Sequence, residues 1–255
     1  MVRSSLACAF FLLLITRSHA QTERDVVTQP CAWFALNSSI KLHKQFGLTF
    51  DGQMRFSEDF QSAQHYVRIG AEVYLTPKLS VVPIGYTYIW NFQYGKQPST
   101  YKNNEQRIWQ QVLYKHAQNR LNFQHRLRME ERFLESHHTE SDGSVINDGY
   151  EVYLNRARYR LLMQIPLNKP KMEAGAWYIA AYDEIFYGWG EGDTFKKIDQ
   201  NRFYAAFGRQ LTSKVKLEGG AIYVMVIKKN GAQQENNIGT LIQFTYNFDF
   251  SSKEN

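Results

Sequence analysis

Cysteine is nearly absent from this 255-residue chain, with Cys8 and Cys31 its two examples. Cys8 falls in an apolar leader, so a processed chain keeps one thiol, and one thiol closes no internal disulfide. Stability must come from elsewhere. Long apolar runs are missing too. After residue 20 nothing approaches eighteen apolar residues in a row, which excludes a transmembrane helix. The net charge of +6 comes without a long basic run and leaves no nucleic-acid footprint. With no heptads, no Pro- or Ser-rich linker and no break in composition, residues 21–255 are expected to form a single domain.

What is present begins with the leader. Arg3, the apolar run Leu6–Ile15 and the small residues of Ser18-His19-Ala20 have the layout of a secretory signal over residues 1–20, cut before Gln21. Its apolar core is too short to span a bilayer as a helix. The rest of the chain has a period of two. In Phe46–Phe56, Phe46, Leu48, Phe50, Met54 and Phe56 share one face of a strand, and Thr49, Asp51, Gln53 and Arg55 share the other. Such alternation hides from hydropathy: 15% of residues are aromatic, yet mean hydropathy is −0.47.

The same texture predicts eleven strands, at 32–41, 46–57, 64–76, 78–92, 104–116, 119–134, 150–165, 171–187, 199–211, 214–228 and 236–250. Short connections alternate with long polar ones, the longest being Glu135–Gly149. That rhythm fits an all-β, up-and-down antiparallel transmembrane barrel of about 10–12 strands. Eleven residues at roughly 3.3 Å each, tilted near 40°, cover about 27 Å, close to the ~25 Å apolar band of such barrels. The last strand places Ile238, Thr240, Ile242, Phe244, Tyr246, Phe248 and Phe250 on one face, similar to the signal read by the bacterial barrel-assembly machinery. Outer-membrane lipid and that machinery are therefore the expected partners, and the bacterial outer membrane the expected location. Two features fit less well. Eleven is odd, whereas such barrels usually have even counts, so an extra strand near Val26–Trp33 or one false strand is expected. Pro83 lies inside a strand, which predicts a bulge or a split strand there.

The polar faces carry the charge. Arg on a lipid face costs roughly 2–4 kcal/mol at the midplane, so the strand with Arg156, Arg158 and Arg160 must turn them inward. The same alternation predicts a lumen-lining charged network of Arg55, Arg68, Glu72, Glu105, Arg107, Arg126, Arg128, Glu130, Arg132, Arg156, Arg158, Arg160, Arg202 and Glu218, and puts Arg120 on the same strand face as Arg126, Arg128, Glu130 and Arg132. Three readings stay open. The network fills and stabilises a structural envelope barrel; it lines a narrow anion-preferring pore; or the chain is another kind of protein, a barrel enzyme acting on envelope lipid or a soluble periplasmic β-protein binding an acidic ligand. The enzyme reading needs a nucleophile beside a base. No Ser is expected beside a His at the rim, and no catalytic residue, metal or cofactor is assigned. His137 and His138, near Glu135, Glu140 and Asp142, are a weak metal candidate in a loop. Gly188–Asp193 lacks the strand–loop–helix context of a phosphate loop, and Trp189 fits the interface instead.

The ordered set Glu105-Gln106-Arg107, Arg126–Arg132, Arg156–Arg160, Tyr182-Asp183-Glu184 and Asp199–Gly208, with an early Trp33, resembles the bacterial family called domain of unknown function 2490 over about residues 31–250. That resemblance implies an exported, β-rich, outer-membrane protein and implies no activity.

Overall fold

The computed structural model describes residues 24–190 and 198–251. The leader and its cleavage site lie outside the described residues, as do 191–197. Eleven long strands follow the predicted alternation: β1 (Asp25–Lys41), β2 (Phe46–Phe56), β3 (Ser62–Thr76), β4 (Leu79–Asn91), β5 (Asn103–Gln118), β6 (Leu121–Thr139), β7 (Val145–Pro166), β8 (Trp177–Gly190), β9 (Ile198–Gln210), β10 (Val215–Ile227) and β11 (Gln233–Tyr246), with a two-residue β12 (Phe248–Asp249). Each long strand pairs antiparallel with the next, and the ring closes where β11 meets β1. The fold is a closed all-β barrel.

The closure corrects the parity expectation. An odd meander leaves its first and last strands pointing the same way, so β1 and β11 pair in parallel, from Asp25↔Gln233 to Asn37↔Thr245. The extra strand expected near Val26–Trp33 is the first half of β1 itself. The chain enters at one mouth, here the N-terminal mouth, and ends at the other, the C-terminal mouth. Side chains lace the seam: Gln29 donates to Asn237 at 2.9 Å, and the Ser39 amide donates to Asn247 Oδ1 at 3.1 Å. Past Asn247, β12 resumes the ladder against Ile40 and Lys41.

Loop lengths differ from the expected rhythm. The segment predicted as a long loop, Glu135–Gly149, is mostly strand: β6 and β7 run on as a hairpin with Thr139 opposite Val145. Most of its residues are polar, and its apolar pair Val145-Ile146 falls on opposite faces, so no period of two shows. The reverse happens at 171–187, where β8 starts only at Trp177, after a ten-residue connection. Pro83 sits at the predicted bulge, where the β4–β5 register shifts between Val82 and Gly85.

Strand β8 shows how the faces divide. Tyr178, Ala180, Tyr182, Glu184 and Phe186 are buried inside, while Trp177, Ile179, Ile185, Tyr187 and Trp189 are exposed outside. Asp183 stands mid-row on the outer face and accepts a hydrogen bond from Asn201 at 3.0 Å. Outward aromatic pairs gather at both mouths. His43–Phe46, His116–Phe123, Trp177–Phe207 and Tyr246–Phe248 ring the C-terminal mouth. Phe56–Phe60, Tyr88–Trp90, Phe133–Tyr153 and Tyr187–Trp189 ring the other. An apolar cluster inside, including Cys31, Trp33, Tyr204, Ile222 and Leu241, backs the seam.

The seam is sterically tight. A Cβ on Gly239 would run into the Cys31 backbone, whereas one on Gly219 would meet only Ile242 Cγ1 at 3.9 Å. Gly239→Ala is therefore expected to destabilise the barrel by about 1–3 kcal/mol in urea unfolding, with Gly219→Ala within about 0.5 kcal/mol of the parent.

Candidate functional site in the lumen

Alternation and closure together drive one face of every strand into a common interior. In the middle of it, Glu130 on β6 is 2% exposed and accepts from three arginines: Arg158 Nη1 at 2.6 Å, Arg156 Nη2 at 2.8 Å and Arg107 Nη1 at 3.2 Å. Glu184 on β8 is a second hub, paired with Arg126 at 2.6 Å, Arg158 at 2.9 Å and Arg202 at 3.8 Å. Arg158 thus joins the two carboxylates. Glu105 holds Arg107 and Arg132, and Asp51 holds Arg68 at 3.0 Å. Charges this buried are costly unless they are paired or well hydrogen-bonded.

Aromatic faces support the guanidinium groups. Phe186 lies under Arg158 and Arg202, each 4.6 Å from the ring centroid, and under Arg156 at 5.0 Å. Trp109 lies under Arg128 at 4.3 Å, and Trp33 under Arg55 at 4.2 Å. Trp109 is fully buried because Gly70 and Gly85 face it; a Cβ at either would collide with the indole.

All fourteen residues of the predicted set face the interior, but they do not form one ion-pair network. Glu72 accepts from the hydroxyls of Ser80, Tyr74 and Ser39, at 2.7, 3.2 and 3.3 Å, and Glu218 accepts from Gln243 at 2.8 Å. Arg55, Arg128 and Arg160 bond to glutamine side chains rather than carboxylates. Arg120 is not in the lumen: it sits in the turn after β5 and donates to the carbonyls of Pro166, Leu167 and Lys169. Glu184 was absent from the predicted set, although counting by two from Tyr178 places it on the inner face.

The network divides the lumen. Toward the N-terminal mouth lies a cavity of about 350 Å³ lined by Arg55, Arg107, Arg132, Arg156 and Arg158 among others. Toward the C-terminal mouth lies another of about 260 Å³ with Arg126, Arg128 and Arg160 in its wall. Among the described residues they share no lining side chain. The connection between β4 and β5, expected as an outer loop, leans onto the seam: Gln97 donates to Asp25 Oδ2 at 2.9 Å, the Lys96 amide to Gln29 at 3.0 Å, and Tyr94 to Glu235 at 3.2 Å. It narrows the N-terminal mouth.

The other candidates are weaker. Contrary to expectation a Ser does meet a His at the rim, Ser62 Oγ lying 3.2 Å from His65 Nε2. His65 Nδ1 faces the Gln64 carbonyl at 3.0 Å, and its ring packs against Phe56 and Phe92. Among the described residues no carboxylate partners His65, so the ring has no third group to orient it as a triad would. His137 packs at a tilt against Tyr101, with ring centroids 5.4 Å apart. Among the described residues no group of three or more His, Cys, Asp or Glu side chains is placed to hold a metal. His138 lies 2.6 Å from Asp148 and 3.3 Å from Glu140.

A family described as protein of unknown function, DUF2490, matches residues 31–236. No curated protein matches the chain. The solved structure of a NanC porin in a rhombohedral crystal form is similar with a TM-score of 0.44 and 11% identity, covering 82% of this chain and 93% of that one.

Removing Glu130 would leave three buried guanidinium groups sharing too few acids. Glu130→Gln is expected to cost about 3–5 kcal/mol in urea unfolding, against about 1 kcal/mol for Glu72→Gln, which loses only hydroxyl donors. In the hairpin, hydrogen bonds to Glu140 and Asp148 hold the His138 imidazole above its usual range. Its tie to the hairpin is full below the unfolded-state value and is lost as pH rises through the raised one. An NMR titration should report that raised value, and Asp148→Asn should lower it.

Proposed function

Starting from the premise that the chain belongs to the DUF2490 family of proteins of unknown function, we propose that it is an integral outer-membrane barrel whose lumen is a narrow, normally closed, anion-preferring passage. The observation that carries the anion preference is the excess of inward guanidinium groups over carboxylates: Glu130 and Glu184 are shared among Arg107, Arg126, Arg156, Arg158 and Arg202, while Arg55, Arg128 and Arg160 have no acid partner among the described residues.

The outer face supports the location. From Trp177 to Trp189, at roughly 3.3 Å per residue and about 40° of tilt, β8 spans about 30 Å, enough for an apolar band with its flanking belts. The outward side chains between those two residues are Ile179, Ala181, Ile185 and Tyr187, with Asp183 the exception. An acid there costs less than an arginine would, and its bond to Asn201 offsets part of that. Outer-membrane lipid is then the partner of this face, and the aromatic alternation of β11 and β12 suits delivery by the barrel-assembly machinery.

The divided lumen sets the expected behaviour. An ion crossing the centre must displace Arg158 from Glu130 and Glu184. Planar bilayers should show small, brief openings with anion preference, and Arg158→Glu should weaken that preference. Silent bilayers containing folded, inserted protein would favour the second reading, a structural envelope barrel, which the separation of the two cavities also supports. Recovery in the soluble periplasmic fraction, with no heat-dependent gel shift, would overturn both.

A further inference from the structure

We propose that the cavity at the C-terminal mouth is a binding site for a small oxyanion, built by Arg126 and Arg128 of β6 and Arg160 of β7. This deepens the anion-preferring reading above and rests on it. The first observation is a cost left in the fold. Arg126 lies directly opposite Arg160, and Arg128 directly opposite Arg158, so two successive cross-strand pairs on the inner face are of like charge. Like charges at that position destabilise a sheet. Arg158 is compensated by Glu130 and Glu184, and Arg126 by Glu184. Arg128 and Arg160 receive only the amide oxygens of Gln111 and Gln124.

The second observation is unused donor capacity. Arg128 is 3% exposed; its Nε and Nη2 both donate to Gln111 Oε1, at 3.1 and 2.7 Å. Trp109 fixes the plane of that guanidinium from below. Its Nη1, together with Arg126 Nε and Arg160 Nε, is buried and has no partner among the described residues. A buried charged donor without an acceptor is expensive, and the three side chains that carry these donors all line one cavity. A bound anion would supply the negative charge that Arg128 and Arg160 do not get from Gln111 and Gln124.

The cavity suits that guest. All three arginines line it, and Lys115 and Lys216 add positive charge. Two acids also face it: Asp51 is paired with Arg68, and Glu218 keeps its charge with the Gln243 amide as donor, so the five cations still outnumber the acids. A volume of about 260 Å³ is several times the roughly 30 Å³ share of one water, which leaves room for phosphate, sulfate or a short carboxylic acid. Guanidinium forks bind the oxygens of either geometry in pairs. At the other mouth, by contrast, Arg107, Arg132 and Arg156 each already hold Glu105 or Glu130.

Isothermal titration of the folded barrel in non-ionic detergent, first with inorganic phosphate and then with acetate, tests the site. Saturable binding is expected with at least one of them. Tighter phosphate binding assigns the site to tetrahedral oxyanions, and tighter acetate binding to carboxylic acids. Arg128→Gln and Arg160→Gln should each weaken the tighter ligand about tenfold. Arg55→Gln, in the opposite cavity, should leave it unchanged. Arg160 is less buried than Arg128, so its variant carries the test if Arg128→Gln fails to fold, with the heat-dependent gel shift reporting folding. No saturable heat from folded protein, or equal weakening by Arg55→Gln, overturns the site. Binding retained in a protein silent in bilayers would sink the passage and keep the site; anion-preferring conductance without binding would sink the site alone.

Discussion

Every strand of the meander has two neighbours only because β1 and β11 pair, and an odd count makes that pairing parallel. An open sheet of this size would present two bare edges, each a row of unpaired backbone donors and acceptors. In an apolar surrounding that is untenable. The seam therefore governs the rest. Gly239 lets the β1 and β11 backbones approach, Gln29 and Asn237 tie them from inside, and Asn247 lends a side chain where the ladder is interrupted before β12. The long β4–β5 connection adds bonds to β1 and β11 from above.

Once the ring closes, the inner face of each strand has nowhere else to go. The arginines meet in a lumen too narrow to hydrate them all, and carboxylates alone do not balance them. Two other devices are used: one acid shared by three guanidinium groups, as at Glu130, and flat aromatic supports, as at Phe186 and Trp109. The result is a plug with a cavity on either side of it.

Much of this was legible in the sequence, and the failures have identifiable causes. Phe46–Phe56 alternates without a break, and β2 matches it to within one residue of the prediction. Pro83 announced its bulge because proline has no amide to donate. The hairpin around His138 was invisible, since beyond the rim neither face needs to be apolar and the period vanishes. The strand expected from residue 171 begins only at Trp177, because Ala174-Gly175-Ala176 blurs the alternation before it. Glu184 was overlooked beside Asp183, where adjacent acids conceal which one turns inward. The contact of Ser62 with His65 depends on the β2–β3 register shift near Phe56, which no spacing rule predicts.

By itself the sequence determined which residues face which way, because a strand's side chains alternate by geometry and an arginine cannot be left in an apolar surrounding. It also determined that the chain is built of strands whose charge collects on one side. The tertiary structure alone decided who pairs with whom. Arg158 joins Glu130 to Glu184, while Arg128 and Arg160 are left with glutamines, because stagger and closure bring particular rungs of different strands to the same depth. Alternation is a local property of one strand. Partnership depends on the register of eleven, and that is set only when the last strand meets the first.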